Sequence, residues 1–333
     1  MAVPYSTAFA PTQRSSHEYV IKIHADYSYG LDVLAAAHGA SMISLLWESV
    51  ALHCRTTLAK HQQPDTLSCY VQFLRPAAVG QALISLQDVQ LSKTTSTLHA
   101  TLHQSNKDRV VAYFTIFNRL TTKGMSLPTP YTPSPPIPPI SFPLLRAGHD
   151  PLWTNFHRPY DISPNTRFLS NFHIAVERTA HADKRTMQSY LGWAHPHSRW
   201  TTASLGVACD LFLPASENFF DSYRSAQGMA DEAVSVETSG HKGTSVPWTR
   251  PYWYLTLNVS IEVKRALPEE GVEWLFIRMR TKEVVEGKID VSGEVWDAEG
   301  RLVAVTQQLW VVVEVPNGVV GMQRGVVGRG SKI

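Results

Sequence analysis

The sequence predicts an α+β protein made of two tandem units, each a long helix laid on an antiparallel sheet. Three observations carry this. The segment Thr66-Leu67-Ser68-Cys69-Tyr70-Val71-Gln72-Phe73-Leu74-Arg75 is paralleled by Thr256-Leu257-Asn258-Val259-Ser260-Ile261-Glu262-Val263-Lys264-Arg265, at an offset of 190. Arg109-Val110-Val111-Ala112 is paralleled by Arg301-Leu302-Val303-Ala304, at an offset of 192, each after a polar turn. Between the copies, eight of the sixteen residues from Pro128 to Pro143 are proline. Proline has no N–H to give a helix or an inner strand, so this stretch reads as an extended connector.

The organisation that follows is an N-terminal unit over 1–122, a proline-rich linker over 123–149, a C-terminal unit over 150–315 and a tail over 316–333. In the first unit Val33, Ala36, Ala37, Ala40, Ile43, Trp47, Val50 and Ala51 recur at helical spacing, the apolar stripe of a helix on a sheet. Strand patterns follow at 67–74, 82–91, 95–104 and 110–118, the last two as a hairpin. In the second unit, 168–176 and 187–194 read as strands, 201–212 as a helix, and 252–263, 273–285, 288–297 and 302–314 as strands. Residues 214–250 have weak periodicity and read as an insertion, either a lid over a site or a surface loop. The tail holds five glycines and reads as flexible.

Composition narrows the function classes. The 333 residues are 44% hydrophobic and 17% charged, enough apolar material for a large core. A net charge of +2 argues against nucleic acid as the main partner. No apolar run approaches the ~20 residues of a helical membrane span, and Met1–Ser16 has no apolar stretch of signal-peptide type. Three cysteines, Cys54, Cys69 and Cys209, read as reduced thiols.

Several short motifs together resemble the acyl-CoA thioesterase II (TesB-like) family of double-hotdog proteins. Tyr29-Gly30 before the long helix is similar to that family's Tyr-Gly-Gly entry, with Leu31 in place of the second glycine. Phe73-Leu74-Arg75-Pro76 matches its Phe-Leu-Arg-Pro strand end. Cys209-Asp210-Leu211 falls where the family has a helix aspartate, and Thr256-Leu257-Asn258 where it has Thr-Ile/Leu-Asp. Leu302-Val303-Ala304 with Gln308 falls where it has Leu-Val-Ala and a catalytic glutamine. The Asp-His-Ser after the threonine is Asn258-Val259-Ser260 here, and Gln307 adjoins Gln308.

The resemblance implies a double hotdog that hydrolyses acyl-CoA or a related acyl thioester. Its catalytic residues would be Asp210, Thr256 and Gln308, with Asn258, Gly30 and Tyr29 contacting substrate. It implies no cofactor beyond the coenzyme A of the substrate, and a homodimer is compatible with it. Asp210 can take a proton from water, Thr256 can hold that water, and Gln308 can orient it or donate to an oxyanion. A non-hydrolytic enzyme of the same fold, performing cyclisation, dehydration or acyl transfer on a polyketide-like substrate, stays open, as does a non-catalytic acyl-binding protein. On strand alternation, Thr256 and Asn258 share a polar face, and Gln307 and Gln308 take opposite faces.

Other chemistries lack their patterns. No G-x-S-x-G, H-E-x-x-H, paired C-x-x-C or P-loop is present, so no metal site is expected; His99 with His103 and His195 with His197 come without patterned partners. Glu48 reads as a solvated or salt-bridged helix residue, and Cys209 as core. Arg250, Lys264, Arg265, Arg278 and Arg280 read as solvated cations that could meet coenzyme A phosphates. Ser331-Lys332-Ile333 resembles the peroxisomal address Ser-Lys-Leu, so an import receptor is an expected partner and the location peroxisomal or cytoplasmic.

Overall fold

A computed structural model describes residues 3–29, 36–127, 129, 131–156, 168–178, 181–211, 213–219, 236–238, 241–243 and 252–314. Gly30, Leu31, Arg250, most of the 214–250 insertion and the Ser331-Lys332-Ile333 tripeptide lie outside these residues. The first unit consists of β1 (Glu18–Ile23), α1 (Gly39–Arg55), β2 (Asp65–Phe73), β3 (Gly80–Gln90), β4 (Thr95–Gln104) and β5 (Lys107–Phe117). The second consists of β6 (Phe172–Glu177), β7 (Thr186–Trp193), α2 (Leu205–Ala208), β8 (Tyr252–Val263), β9 (Trp274–Arg280), β10 (Lys288–Trp296) and β11 (Leu302–Glu314).

These strands form one antiparallel sheet in the order β1-β3-β4-β5-β2-β8-β11-β10-β9-β7-β6, with short edge strands at Thr12–Gln13 and Trp153–Asn155. The order is the same read outward from its middle: β2-β5-β4-β3-β1 on one side, β8-β11-β10-β9-β7 on the other. The middle pair is the duplicated segment itself, with Val71 opposite Val259 and Cys69 opposite Ile261. Each copy carries a β-bulge at the same place. One lies between Thr66 and Ser68, the other between Thr256 and Asn258, again 190 residues apart.

Helix α1 lies in the concavity of the sheet. Its stripe of Ala40, Ile43, Leu46, Trp47 and Val50 is at most 3% exposed, packed with Val71, Ile84, Ala100 and Phe114. The predicted 201–212 helix is shorter than expected: a 3-10 turn at Thr202–Ser204 runs into the four residues of α2. Gly206 lets α2 press on α1, because a Cβ there would meet Ile43 Cγ2 at 3.0 Å and Ser44 Oγ at 3.1 Å. Past Ala208 the chain turns away, so that Asp210 faces the start of α1 instead of continuing along it.

The proline-rich segment is more than a connector. Ile137, Ile140 and Phe142 pack on Trp153, Tyr190, Trp274, Phe276 and Trp296, the outer face of the second unit's sheet. Phe142 stacks on Trp274 at 4.7 Å. Its fixed φ angles leave little backbone freedom to lose on docking. Beneath this strap Arg278 is 1% exposed and donates to the Pro135 carbonyl at 2.5 Å, while Arg280 donates to the Ser134 carbonyl. The expectation that Arg278 is a solvated surface cation is therefore corrected: the strap covers it.

Candidate active site

Asp210 is the centre of the arrangement. Its side chain is 1% exposed. It accepts a hydrogen bond from Thr256 Oγ1 at 3.1 Å. The backbone N–H of Ala40, in the first turn of α1, lies near it and favours its charged form. Burial pushes the carboxyl from the ordinary 3.8 up to about 7, with the Thr256 hydroxyl and the Ala40 N–H opposing that rise.

Gly39 makes this approach to the helix N-terminus feasible. A Cβ at Gly39 would stand 2.3 Å from Asp210 Oδ2 and 3.3 Å from Phe73 Cζ. His38 caps the helix, its Nδ1 accepting from the Ala40 N–H at 3.2 Å. The same Nδ1 lies 3.9 Å from Asp210 Oδ2. The imidazole stacks flat on Phe168, with ring centres 3.9 Å apart. His38 is about a quarter exposed, and with the half-buried Gly39 and Thr256 it forms the solvent side of the buried carboxyl.

Gln308 faces inward with Thr306 and Trp310, whereas Gln307 is exposed. Its Nε2 donates to the Cys209 carbonyl at 2.6 Å and its Oε1 accepts from Trp310 Nε1 at 2.7 Å. Both ends of the amide are thus engaged inside the protein. Gln308 holds the peptide next to Asp210, one residue away from the carboxylate. Cys209 itself is fully buried, and burial pushes its thiol well above the ordinary range, which fits core packing and not a nucleophile.

Asn258 does not join the cluster. The bulge at Leu257 shifts the alternation of β8 by one, so Thr256 faces inward together with Val259 and Ile261. Asn258 then lies on the outer face, opposite Gln72, whose neighbour Tyr70 is 44% exposed. The expectation that Thr256 and Asn258 share a face fails for that reason. Tyr29 sits in a two-residue strand against Ala36–Ala37, just ahead of His38.

Two residues of the cluster, Gly39 and His38, were not singled out from sequence. Gly39 and His38 gain their meaning only because residue 210 comes to the start of α1. Glu48, expected to be solvated or salt-bridged, is instead half-buried at mid-helix; burial raises its carboxyl, while the nearby Tyr5 side chain, whose hydroxyl donates to the Ala203 carbonyl, and the charge of Arg55 oppose the rise. A cleft of about 480 Å³ elsewhere, lined by Arg146, His173, His195, Arg199, Glu273 and Trp274, does not include the Asp210 cluster. Arg146 and Arg199 there both pair with Glu273.

Comparison with known proteins places the chain in a family. The family model of the acyl-CoA thioesterase N-terminal domain matches residues 31–117, and that of the C-terminal domain matches 146–312. The chain belongs to the acyl-CoA thioesterase family. The thioesterase-like protein TwmA of Talaromyces wortmannii is 28% identical over 93% of this chain and 92% of its own length. The crystal structure of a putative thioesterase II from Thermobifida fusca YX superposes with a TM-score of 0.66 at 19% identity, covering 94% of this chain and 99% of that one. That of an acyl-CoA thioesterase II, TesB2, from Mycobacterium marinum gives 0.59 at 13% identity, covering 94% and 99%. At these identities the structures show the shared double-hotdog fold. The two family-model matches fall on the two halves of the symmetric sheet.

Proposed function

We propose that this member of the family hydrolyses an acyl thioester, acyl-CoA being the expected form, by water activation at Asp210. The observation that carries the reading is the 3.1 Å hydrogen bond between Thr256 and a buried carboxyl at the start of a helix. A carboxyl that titrates at about 7 has the basicity a general base needs near neutral pH. Asp210 takes a proton from water as its oxygen attacks the thioester carbon. Thr256 donates to Asp210 and accepts from the same water. The partial positive charge at the N-terminus of α1 lies beside Asp210 and favours the charged form that acts as base. The C–S bond then breaks, the thiolate leaves and collects the proton, and the acid is released. Gln308 acts through the Cys209 peptide as a positioning residue.

No resident cofactor enters this scheme; coenzyme A is the leaving thiol. The test is release of free thiol from a panel of acyl-CoAs. Asp210→Asn keeps the size and hydrogen-bonding shape while removing the base, and is expected to lower turnover by ~10²–10⁴-fold. Full turnover by Asp210→Asn discards the site. A folded wild type inert on every thioester points instead to a non-hydrolytic acyl chemistry on the same fold.

A further inference from the structure

At the opposite end of α1 from Asp210 a second polar cluster is built into the first unit. His53, in the last turn of α1, is fully buried, and its Nε2 lies 2.9 Å from Asp88 Oδ1. His17, just ahead of β1, places Nε2 3.1 Å from Asp88 Oδ2. The three ligand atoms lie within 4.8 Å of one another. His38 and His53 are fifteen residues apart on one helix, so this cluster stands ~22 Å from the carboxyl of Asp210. The three residues are 36 and 35 positions apart in the chain, which is why no local motif reveals them.

We propose that His17, His53 and Asp88 form a binding site for a divalent transition-metal ion of the zinc type. The donor set is two imidazoles and one carboxylate, which suits zinc and its neighbours and not magnesium or calcium. The surroundings supply the other half of such a site. His53 Nδ1 lies 2.9 Å from Tyr19 Oη, which in turn donates to the Ser16 carbonyl at 3.3 Å. His17 Nδ1 lies 2.9 Å from Ser16 Oγ. The hydroxyl oxygens beside each Nδ1 can accept from Nδ1–H once Nε2 gives its lone pair to a metal, which holds each ring in the ligating tautomer. Strand alternation puts Asp88 on the same inward face of β3 as Ile84 and Leu86, towards the two rings.

Ion binding moves each ring proton to Nδ1 and replaces the two Nε2–carboxylate hydrogen bonds by Nε2–metal and oxygen–metal bonds. Bonds of ~2.0–2.2 Å need donor separations of roughly 3–3.5 Å; the two nitrogen–carboxylate separations are 2.9 and 3.1 Å, and all three ligand atoms lie within 4.8 Å, so small side-chain shifts complete the fit. Water completes the coordination, through the solvent side left by the 41% exposed His17 side chain. The site ties the start of β1 and strand β3 to the end of α1.

The test is calorimetric titration of the chelator-stripped, full-length protein with Zn²⁺, with Co²⁺ as a spectroscopic substitute. One ion per chain should bind with a micromolar or tighter Kd, raise the melting temperature, and give cobalt ligand-field absorption. His17→Ala, at a partly exposed position, should weaken binding at least ~100-fold while the protein stays folded. Tyr19→Phe keeps every ligand and removes only the hydroxyl on His53, and should weaken binding ~10–100-fold. Absence of saturable binding below 1 mM by about that scale, or equal affinity in wild type and His17→Ala, overturns the site and leaves a hydrogen-bonded His-Asp-His cluster.

Discussion

Gly39 and Asp210 are fitted to each other so closely that a methyl group on Gly39 would stand 2.3 Å from Asp210 Oδ2. Phe73 closes the remaining space at 3.3 Å. Gly39→Ala therefore drives the carboxyl away from Thr256, since the helix backbone is held by its capped first turn. The variant should stay folded and lose at least ~100-fold in turnover, the scale of a displaced general base. Thiol release and thermal melting measured together check it; undiminished turnover would show that the position of Asp210 is not critical.

The repeat, the proline break, most strands and the face of α1 were legible in the sequence because they depend on local periodicity and composition. The site was legible in its residue types and not in its geometry. Thr256 and Asn258 look alike on simple alternation, and only pairing with β11 creates the bulge that parts them. Gly39 and His38 carry no local signal, because their partner is about 170 residues away in the chain. Arg278 reads as a surface cation until the strap is known to dock above it.

The raised titration of Asp210 has consequences of opposite sign for rate and stability. Below pH 3.8 the carboxyl is protonated folded or unfolded, and burial carries no penalty. Between pH 4 and 7 the unfolded chain ionises first, so stability falls as pH rises, levelling off above about 7. Roughly three pH units at 1.36 kcal/mol make this about 4 kcal/mol. Asp210→Asn lacks the penalty, so its melting temperature relative to wild type should climb from pH 4 to 7. The rate runs the other way: kcat/KM of the wild type should rise about tenfold per pH unit below 7 and then plateau. A flat profile from pH 5 to 9 removes Asp210 as the base.

Gly206 tests the packing that brings Asp210 to α1. A Cβ there meets Ile43 Cγ2 and Ser44 Oγ at 3.0–3.1 Å, so these buried side chains must give by a few tenths of an ångström in a packed core. Gly206→Ala should cost about 1–3 kcal/mol of stability as an overpacked core. Because α2 leads directly into Asp210, turnover should fall as well. Urea unfolding with an unchanged slope and a lower midpoint is the expected readout; an equal or raised midpoint contradicts the close crossing.

Thr256 and Gln308 make different predictions because only Thr256 bonds the Asp210 carboxyl. The Thr256 hydroxyl donates to the charged carboxyl and so lowers its titration point. Thr256→Val keeps the volume and removes that donor, which should move the midpoint of the pH–rate profile above 7 along with lowering the plateau. Gln308 touches the Cys209 carbonyl and Trp310 Nε1 instead. Gln308→Ala leaves both without their partner in the core, at about 1–3 kcal/mol for each orphaned group, and should lower the melting temperature far more than Thr256→Val. Its pH midpoint should stay near 7, since no bond to the carboxyl is lost. The double change Asp210→Asn with Thr256→Val should be little slower than Asp210→Asn alone, because in the proposed mechanism the hydroxyl acts on the water that Asp210 deprotonates. Additive losses in that pair would mean that Thr256 serves a step in which Asp210 takes no part.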